Sequence, residues 1–123
     1  MKILNCKKLI ISIFQNHKLS KKHALICADA LINAELVGAP SHGIARISSY
    51  CNRIKQKVIN PKPKIKIKKI SSSITNIDAD NAVGFIGADL AISHAIQNAK
   101  KTGIGLVGVK NSGHYGLSGY YAE

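Results

Sequence analysis

Two short stretches carry the side chains best suited to chemistry. "APSHGIARISSYCNR" (39–53) holds Ser41, His42, Arg46, Tyr50 and Arg53, and "KNSGHYGLSGYY" (110–121) holds His114 close to Gly113 and Gly116. If the first stretch is helical, at about 100° per residue, His42, Arg46, Tyr50 and Arg53 fall on one face about 80° wide. Ile44, Ile47, Cys51, Ile54 and Val58 then lie on the other side. A planar guanidinium can grip a carboxylate through two parallel hydrogen bonds. An imidazole that titrates near neutrality can give or take a proton at an oxygen on the adjacent carbon. Ser41 can donate to that imidazole or to the substrate. The set therefore suits a small carboxylic acid as substrate. The same spacing also describes a solvated polar face of an ordinary amphipathic helix. His114 has two readings as well: a plain turn residue, or a site residue whose neighbouring glycines let backbone come close to a ligand.

Other candidates are weaker. "GIGLVG" (103–108) matches the G-x-G-x-x-G pattern of dinucleotide sites, but that motif needs a strand before it and a helix after it. Here a helix precedes and a strand follows, and the sequence is almost over about 20 positions on, where an acidic residue should hold the ribose. The glycines fit a tight helix-to-strand turn instead. His17, His23 and His94 lack the glycine-rich company of His114 and read as surface or core-edge residues. No His or Cys spacing of zinc type is present, so no metal is expected.

The elements that must position these residues follow from apolar periodicity. Residues 4–16 predict a first helix, and Ser20 caps a second that runs to Val37 with Ala24, Leu25, Ala28, Leu31, Ile32 and Leu36 on one face. Gly38 and Pro40 end it. Ser41 is then placed to cap a third helix over 41–58, and "NPKPK" forms a linker. "KIKIKKI" predicts a half-buried strand, "SITNIDAD" a second strand, residues 84–102 a helix with an alanine-rich face, and "GIGLVGVK" a buried strand. "LSGYYAE" predicts the beginning of a last helix. The order implies a mixed α/β (or α+β) chain. Residues 1–60 are expected to form an N-terminal helical segment, and 61–123 to begin a mixed α/β portion.

Composition narrows the functional classes. The 123 residues suffice for one modest core, and 46% of them are hydrophobic, which excludes a chain disordered by composition. The net charge of +12 favours an anionic partner. Its texture does not fit a nucleic-acid reader: only Arg46 and Arg53 are arginines, the lysines are dispersed and aromatics are few. A small basic binding protein without catalysis is the alternative to an enzyme. Cys6, Cys27 and Cys51 form no C-x-x-C pair and fit free thiols in a reducing cytoplasm. Lys7 and Lys8 break the N-terminal apolar run, so it does not read as a signal peptide, and no stretch has the length of a membrane span.

"GAPSHGIARISSY" (38–50) and "VKNSGHYGLSGYYA" (109–122), joined by "IDADNAVGFIGADLAISHAI" (77–96), resemble the N-terminal part of the malate/L-lactate dehydrogenase family. That group also includes sulfolactate and ureidoglycolate dehydrogenases and related 2-oxo-acid and cyclic-imine reductases. The resemblance implies a non-Rossmann fold and hydride transfer between NAD or NADP and C2 of a small 2-hydroxy or 2-oxo acid. It also implies a homodimer. It makes His114 the proton acceptor in hydroxy-acid oxidation. His42 is then the donor in the reverse direction or a partner of the substrate oxygen, supported by Ser41. Arg46 corresponds to the carboxylate-binding position, with Tyr50 beside it. Family chains continue well past the glycine-rich histidine turn, and most nicotinamide contacts belong to that continuation. The expectation is therefore an N-terminal fragment, inactive by itself, with its cofactor-binding residues unassigned.

Overall fold

The computed structural model describes residues 2–122. Among them are four α-helices and a three-stranded sheet, a mixed α/β arrangement. Ile3–Asn16 forms α1 and Lys21–Leu36 forms α2. Ser20 starts α2 by accepting the His23 N–H at 3.2 Å, which satisfies one of the orphan donors of the first turn. Small residues dominate the face that α2 buries: Ala24, Cys27, Ala28, Ala30 and Ala34 surround Leu31 and Ile32. They let the neighbouring elements come close. Leu25 and Leu36, expected on that face, are 40% and 64% exposed.

Lys66–Lys69 (β1), Ile74–Ala82 (β2) and Leu106–Ser112 (β3) make the sheet in the order β1-β2-β3. β1 pairs antiparallel with β2, and β2 pairs parallel with β3. The parallel pair needs a crossover, which α4 (Gly84–Thr102) supplies. Near its end β2 bulges: Asp80 and Asn81 adopt positive φ, and the register with β3 shifts between Asp78 and Ala82. The Asp80 carboxylate ties the bulge to the preceding loop by accepting from Asn60 Nδ2 at 2.9 Å and from the Lys64 N–H at 2.8 Å. Gly103 (φ 82°) closes α4 in the left-handed conformation. Helix before and strand after are thus observed around "GIGLVG", and its first glycines build the turn.

One hydrophobic cluster joins both halves of the chain. Ile10 and Phe14 of α1 and Leu31 of α2 pack with Ala79 and Ala82 of β2 and with Val83, Phe85 and Ile86 at the start of α4. Each fully buried large side chain of this kind contributes about 1.5–3 kcal/mol.

The strands differ from expectation in burial. β1 is exposed throughout, and β3 is mostly exposed, with Leu106 at 61%. The reason is position: β2 lies in the middle and buries Thr75, Ile77 and Ala79, whereas β1 and β3 are the two edges. The segment expected to begin a last helix is a 3-10 turn, Ser118–Tyr121, and residue 123 lies outside the described residues. Among the described residues, no helix is long and apolar enough to cross a membrane.

Candidate active site

The expected third helix starts later than its sequence suggests. Pro40–His42 and Ile44–Arg46 are separate 3-10 turns, and the α-helix α3 covers only Ile47–Lys55. The break falls at Gly43, whose φ of −96° and ψ of −142° are not helical. Glu35, in the last turn of α2, fixes this join: its Oε1 accepts the Ile44 N–H at 2.7 Å, and a Cβ on residue 43 would overlap the same carboxylate.

His42, Arg46 and Tyr50 therefore do not share one helix face. Tyr50 sits with Cys51 on the buried side of α3 and is 4% exposed, while Ile44 and Val58, expected on the apolar side, are 38% and 50% exposed. Ser41 caps no helix with its side chain. Its Oγ lies 3.0 Å from His42 Nδ1, and its carbonyl accepts Arg46 Nε–H at 2.9 Å. Arg46 is thus oriented through one nitrogen, with its two terminal nitrogens left over for a ligand.

His114 is set by different elements. It stands between β3 and the last 3-10 turn, and the 113–114 backbone runs against the first residue of α4. Only a glycine at position 84 permits that approach, because a Cβ there would collide with the Gly113 and His114 carbonyl oxygens. Gly116 has φ 82° and lies against the Phe85 ring. Phe85 is fully buried and also packs on Tyr50, ring centroids 5.2 Å apart in an edge-to-face arrangement. Phe85 thus locks α3 and the histidine turn together.

The result is a cluster drawn from both ends of the chain. The His42 and His114 rings stack with centroids 5.7 Å apart at an interplanar angle of 29°. The Tyr50 hydroxyl is 3.0 Å from His114 Nδ1, and the Gly116 N–H donates to the same nitrogen at 3.2 Å. Partial burial holds the His114 imidazole below the usual histidine range, and the charges of Arg46, His42 and Arg53 push it the same way. Burial pushes the Tyr50 phenol up to about 12, partly offset by Arg46. Such a site can bind a carboxylate on Arg46 and place two imidazoles at the neighbouring carbon's oxygen.

Beside the cluster, Ala88, Ala91 and Ile92 of α4 and Val107 and Val109 of β3 line an apolar groove of about 580 Å³ that reaches Gly113 and Tyr115. Neither histidine lines it. The glycines of "GIGLVG" do not face a ligand: Gly103 caps α4, and Gly105 is pressed against the Ala95 backbone. This motif therefore forms no dinucleotide cradle. Among the described residues, no group of three or more His, Cys, Asp or Glu is arranged to hold a metal. Cys27 and Cys51 are buried free thiols.

Sequence reasoning named Ser41, His42, Arg46, Tyr50 and His114, and the fold brings these into one neighbourhood. It missed Glu35, Gly84, Phe85 and the Gly116 amide. Of these, only Gly116, inside the "GHYG" turn, carried any local signal.

Residues 1–123 match the family model described as malate/L-lactate dehydrogenase. The chain is 41% identical over 119 residues to the L-sulfolactate dehydrogenase of Methanocaldococcus jannaschii, which covers 97% of this chain and 35% of that protein. It is 44% identical over 102 residues to the malate dehydrogenase of Pyrococcus abyssi, covering 83% of this chain and 28% of that one. The solved M. jannaschii sulfolactate dehydrogenase superposes with a TM-score of 0.95 at 40% identity, over 98% of this chain and 35% of the other. The malate dehydrogenase of Pyrococcus horikoshii does so at 0.91 and 36% identity, over 95% and 34%. The chain thus spans about a third of the length of the relatives it matches. With a family match over its whole length, and the fold of these solved dehydrogenases reproduced around its paired histidines, the chain belongs to the malate/L-lactate dehydrogenase family.

Proposed function

We propose that this chain supplies the carboxylate-binding and proton-handling part of a dehydrogenase that interconverts a small 2-hydroxy acid and its 2-oxo acid with NAD or NADP. Malate, lactate and sulfolactate define the substrate class. Arg46 holds the carboxylate through its terminal nitrogens, and His42 and His114 meet the oxygen on C2. Ser41 orients His42, and Tyr50 orients His114. The observation that carries this reading is the 5.7 Å stacking of two imidazoles that come from opposite ends of the sequence. Ionisable groups brought side by side, with His114 held below the usual histidine range, are typical of functional sites. A cytoplasmic homodimer is part of the same proposal.

The matched relatives place about two thirds of their length beyond the region this chain spans. The 123-residue polypeptide mixed with NAD(P)⁺ and malate, lactate or sulfolactate is therefore expected to form no NAD(P)H. A chimera tests the site itself. In it, residues 1–123 replace the matching third of the M. jannaschii sulfolactate dehydrogenase. We expect turnover, and a loss of about 10²–10⁴-fold in His42→Ala or His114→Ala, the usual size of an acid–base contribution. An active chimera whose rate stays within tenfold in both variants would defeat the reading.

A further inference from the structure

We propose that a cavity at the C-terminal ends of α1 and α3 binds a soluble organic monophosphate, with Lys18, Lys55 and Lys57 on the phosphate and Ile54, Ile59 and Pro61 against the organic part. The cavity has a volume of about 660 Å³ and shares no residue with the histidine cluster, so the inference stands apart from the dehydrogenase reading.

Two backbone conformations point to the site. Lys18 has φ 71° and Lys57 φ 60°, in the left-handed region that residues with a Cβ adopt at a cost. Each closes a helix in the same way. The Lys18 N–H donates to the Gln15 carbonyl at 2.8 Å, and the Leu19 N–H to that of Phe14 at 3.1 Å. Likewise the Lys57 N–H donates to Ile54 at 3.0 Å, and the Val58 N–H to Arg53 at 3.0 Å. This paired pattern puts both lysines at the position just past a helix that usually belongs to glycine. The other two helices follow that usage: Gly38 ends α2 at φ 76°, and Gly103 ends α4 at φ 82°. A Cβ at either glycine would meet nothing within 4 Å, so conformation alone selects glycine there. The chain thus uses glycine for this turn where no side chain is required, and lysine at the two turns that line the cavity. Attraction to the helix dipole does not account for the choice. Lys55 in α3, and Lys100 and Lys101 in α4, supply it from inside the last turn on ordinary helical backbone.

The chemistry of the lining selects the ligand. None of the lining residues is acidic, and among the described residues no carboxylate forms an ion pair with Lys18, Lys55 or Lys57. The Asn60 side chain is already engaged: its Nδ2 donates to Asp80 at 2.9 Å, and its Oδ1 accepts the Lys62 N–H at 3.0 Å. His17 Nδ1 lies 2.9 Å from the Ile13 carbonyl, which can only accept, so Nδ1 carries the hydrogen and Nε2 is left over. Ammonium groups act as point charges rather than as planar forks, which suits phosphate better than a bidentate carboxylate. A phosphate monoester brings close to two negative charges and three strong acceptor oxygens, against three cations that otherwise only repel one another. The apolar wall of Ile54, Ile59 and Pro61 gives its carbon part somewhere to lie, which inorganic phosphate cannot use.

Amide chemical-shift titration of the ¹⁵N-labelled 123-residue chain with phenyl phosphate, at an ionic strength held constant with sodium chloride, reads the site directly. Saturable shifts are expected at Lys18, Leu19, Lys57 and Val58, with inorganic phosphate binding about tenfold more weakly for want of an apolar part. Lys18→Gly and Lys57→Gly should each lose about tenfold in affinity for phenyl phosphate, the lower end for a hydrogen bond to a charged group. Each should also melt about 4 °C higher, because glycine adopts the left-handed turn without strain. A purely structural lysine would not weaken phosphate binding while holding stability down. Shifts that do not saturate, or that fall as strongly on Lys66, Lys68 and Lys110 of the sheet, would overturn the inference. So would glycine variants that bind as well as the parent or melt below it. Sedimentation with phosphatidic acid vesicles, without any response to phenyl phosphate, would also overturn it by making the ligand a membrane surface.

Discussion

The Glu35–Gly43 contact makes a quantitative prediction about how the site is held. Glu35 accepts the Ile44 N–H at 2.7 Å, and its carboxylate fills the space a Cβ on residue 43 would need. A hydrogen bond to a charged group is worth about 1.5–3 kcal/mol. A carboxylate at the C-terminal end of a helix is disfavoured by about 0.3–1 kcal/mol through the helix dipole, and Glu35→Ala removes that burden. Its net cost should be about 1–2 kcal/mol. In Gly43→Ala the carboxylate must swing away, so the bond is lost but the dipole burden stays, for about 1.5–3 kcal/mol. Once Glu35 has been truncated, the atoms nearest the new methyl are gone, and Gly43→Ala should then cost close to nothing. The double variant should be about as stable as Glu35→Ala alone, a coupling of about 1.5–3 kcal/mol. Urea denaturation of the four proteins measures the cycle. Thermal melting should follow it at about 4 °C per kcal/mol for a chain of this size. Costs that simply add, within about 0.5 kcal/mol, would show that Glu35 does not occupy that space and that the tether is not what breaks the helix at Gly43.

Two further outcomes follow from the same packing. Phe85→Ala should cost about 3–5 kcal/mol and, where the fold survives, should release the Gly116 amide to fast hydrogen exchange, because Phe85 supports both Tyr50 and the histidine turn; retained protection would mean that the turn is held elsewhere. Alkaline titration followed by phenolate absorbance should show one tyrosine ionising at about 12 that disappears in Tyr50→Phe. The folded pKa is raised, so this group's contribution to stability is complete below the unfolded value of about 10 and is lost as the pH climbs through the folded one.

What could be read from the sequence was whatever depends on local pattern. The α2 start at Ser20, the span of α4 over Gly84–Thr102 and the turn use of Gly103 all follow from neighbours within a few residues. The start of α3 did not, although 41–46 carries a respectable helical pattern. A residue of another helix, Glu35, holds the Ile44 amide that a continuous helix would turn inward. Strand burial was misjudged for a similar reason. Leu106, Val107 and Val109 have the composition of a central strand, but composition does not say which strand ends up between two others. The chemical residues themselves were legible, Arg46 and the histidines by type and His114 by its glycines. Their convergence was not, since Tyr50 and His114 are 64 positions apart and meet only because β3 carries the chain back to the start of α4, where Phe85 packs on Tyr50.

That return explains why the histidine pair is asymmetric. His42 is held by its own neighbour, Ser41, on a turn that Glu35 pins from below through backbone. His114 is held through its ring, by a phenol that is 4% exposed and an amide on a positive-φ glycine. Ionising it would cost hydrogen bonds that Phe85 and the core keep in register. The two rings are thus held by different kinds of support, one through the chain beneath it and one through its own nitrogen.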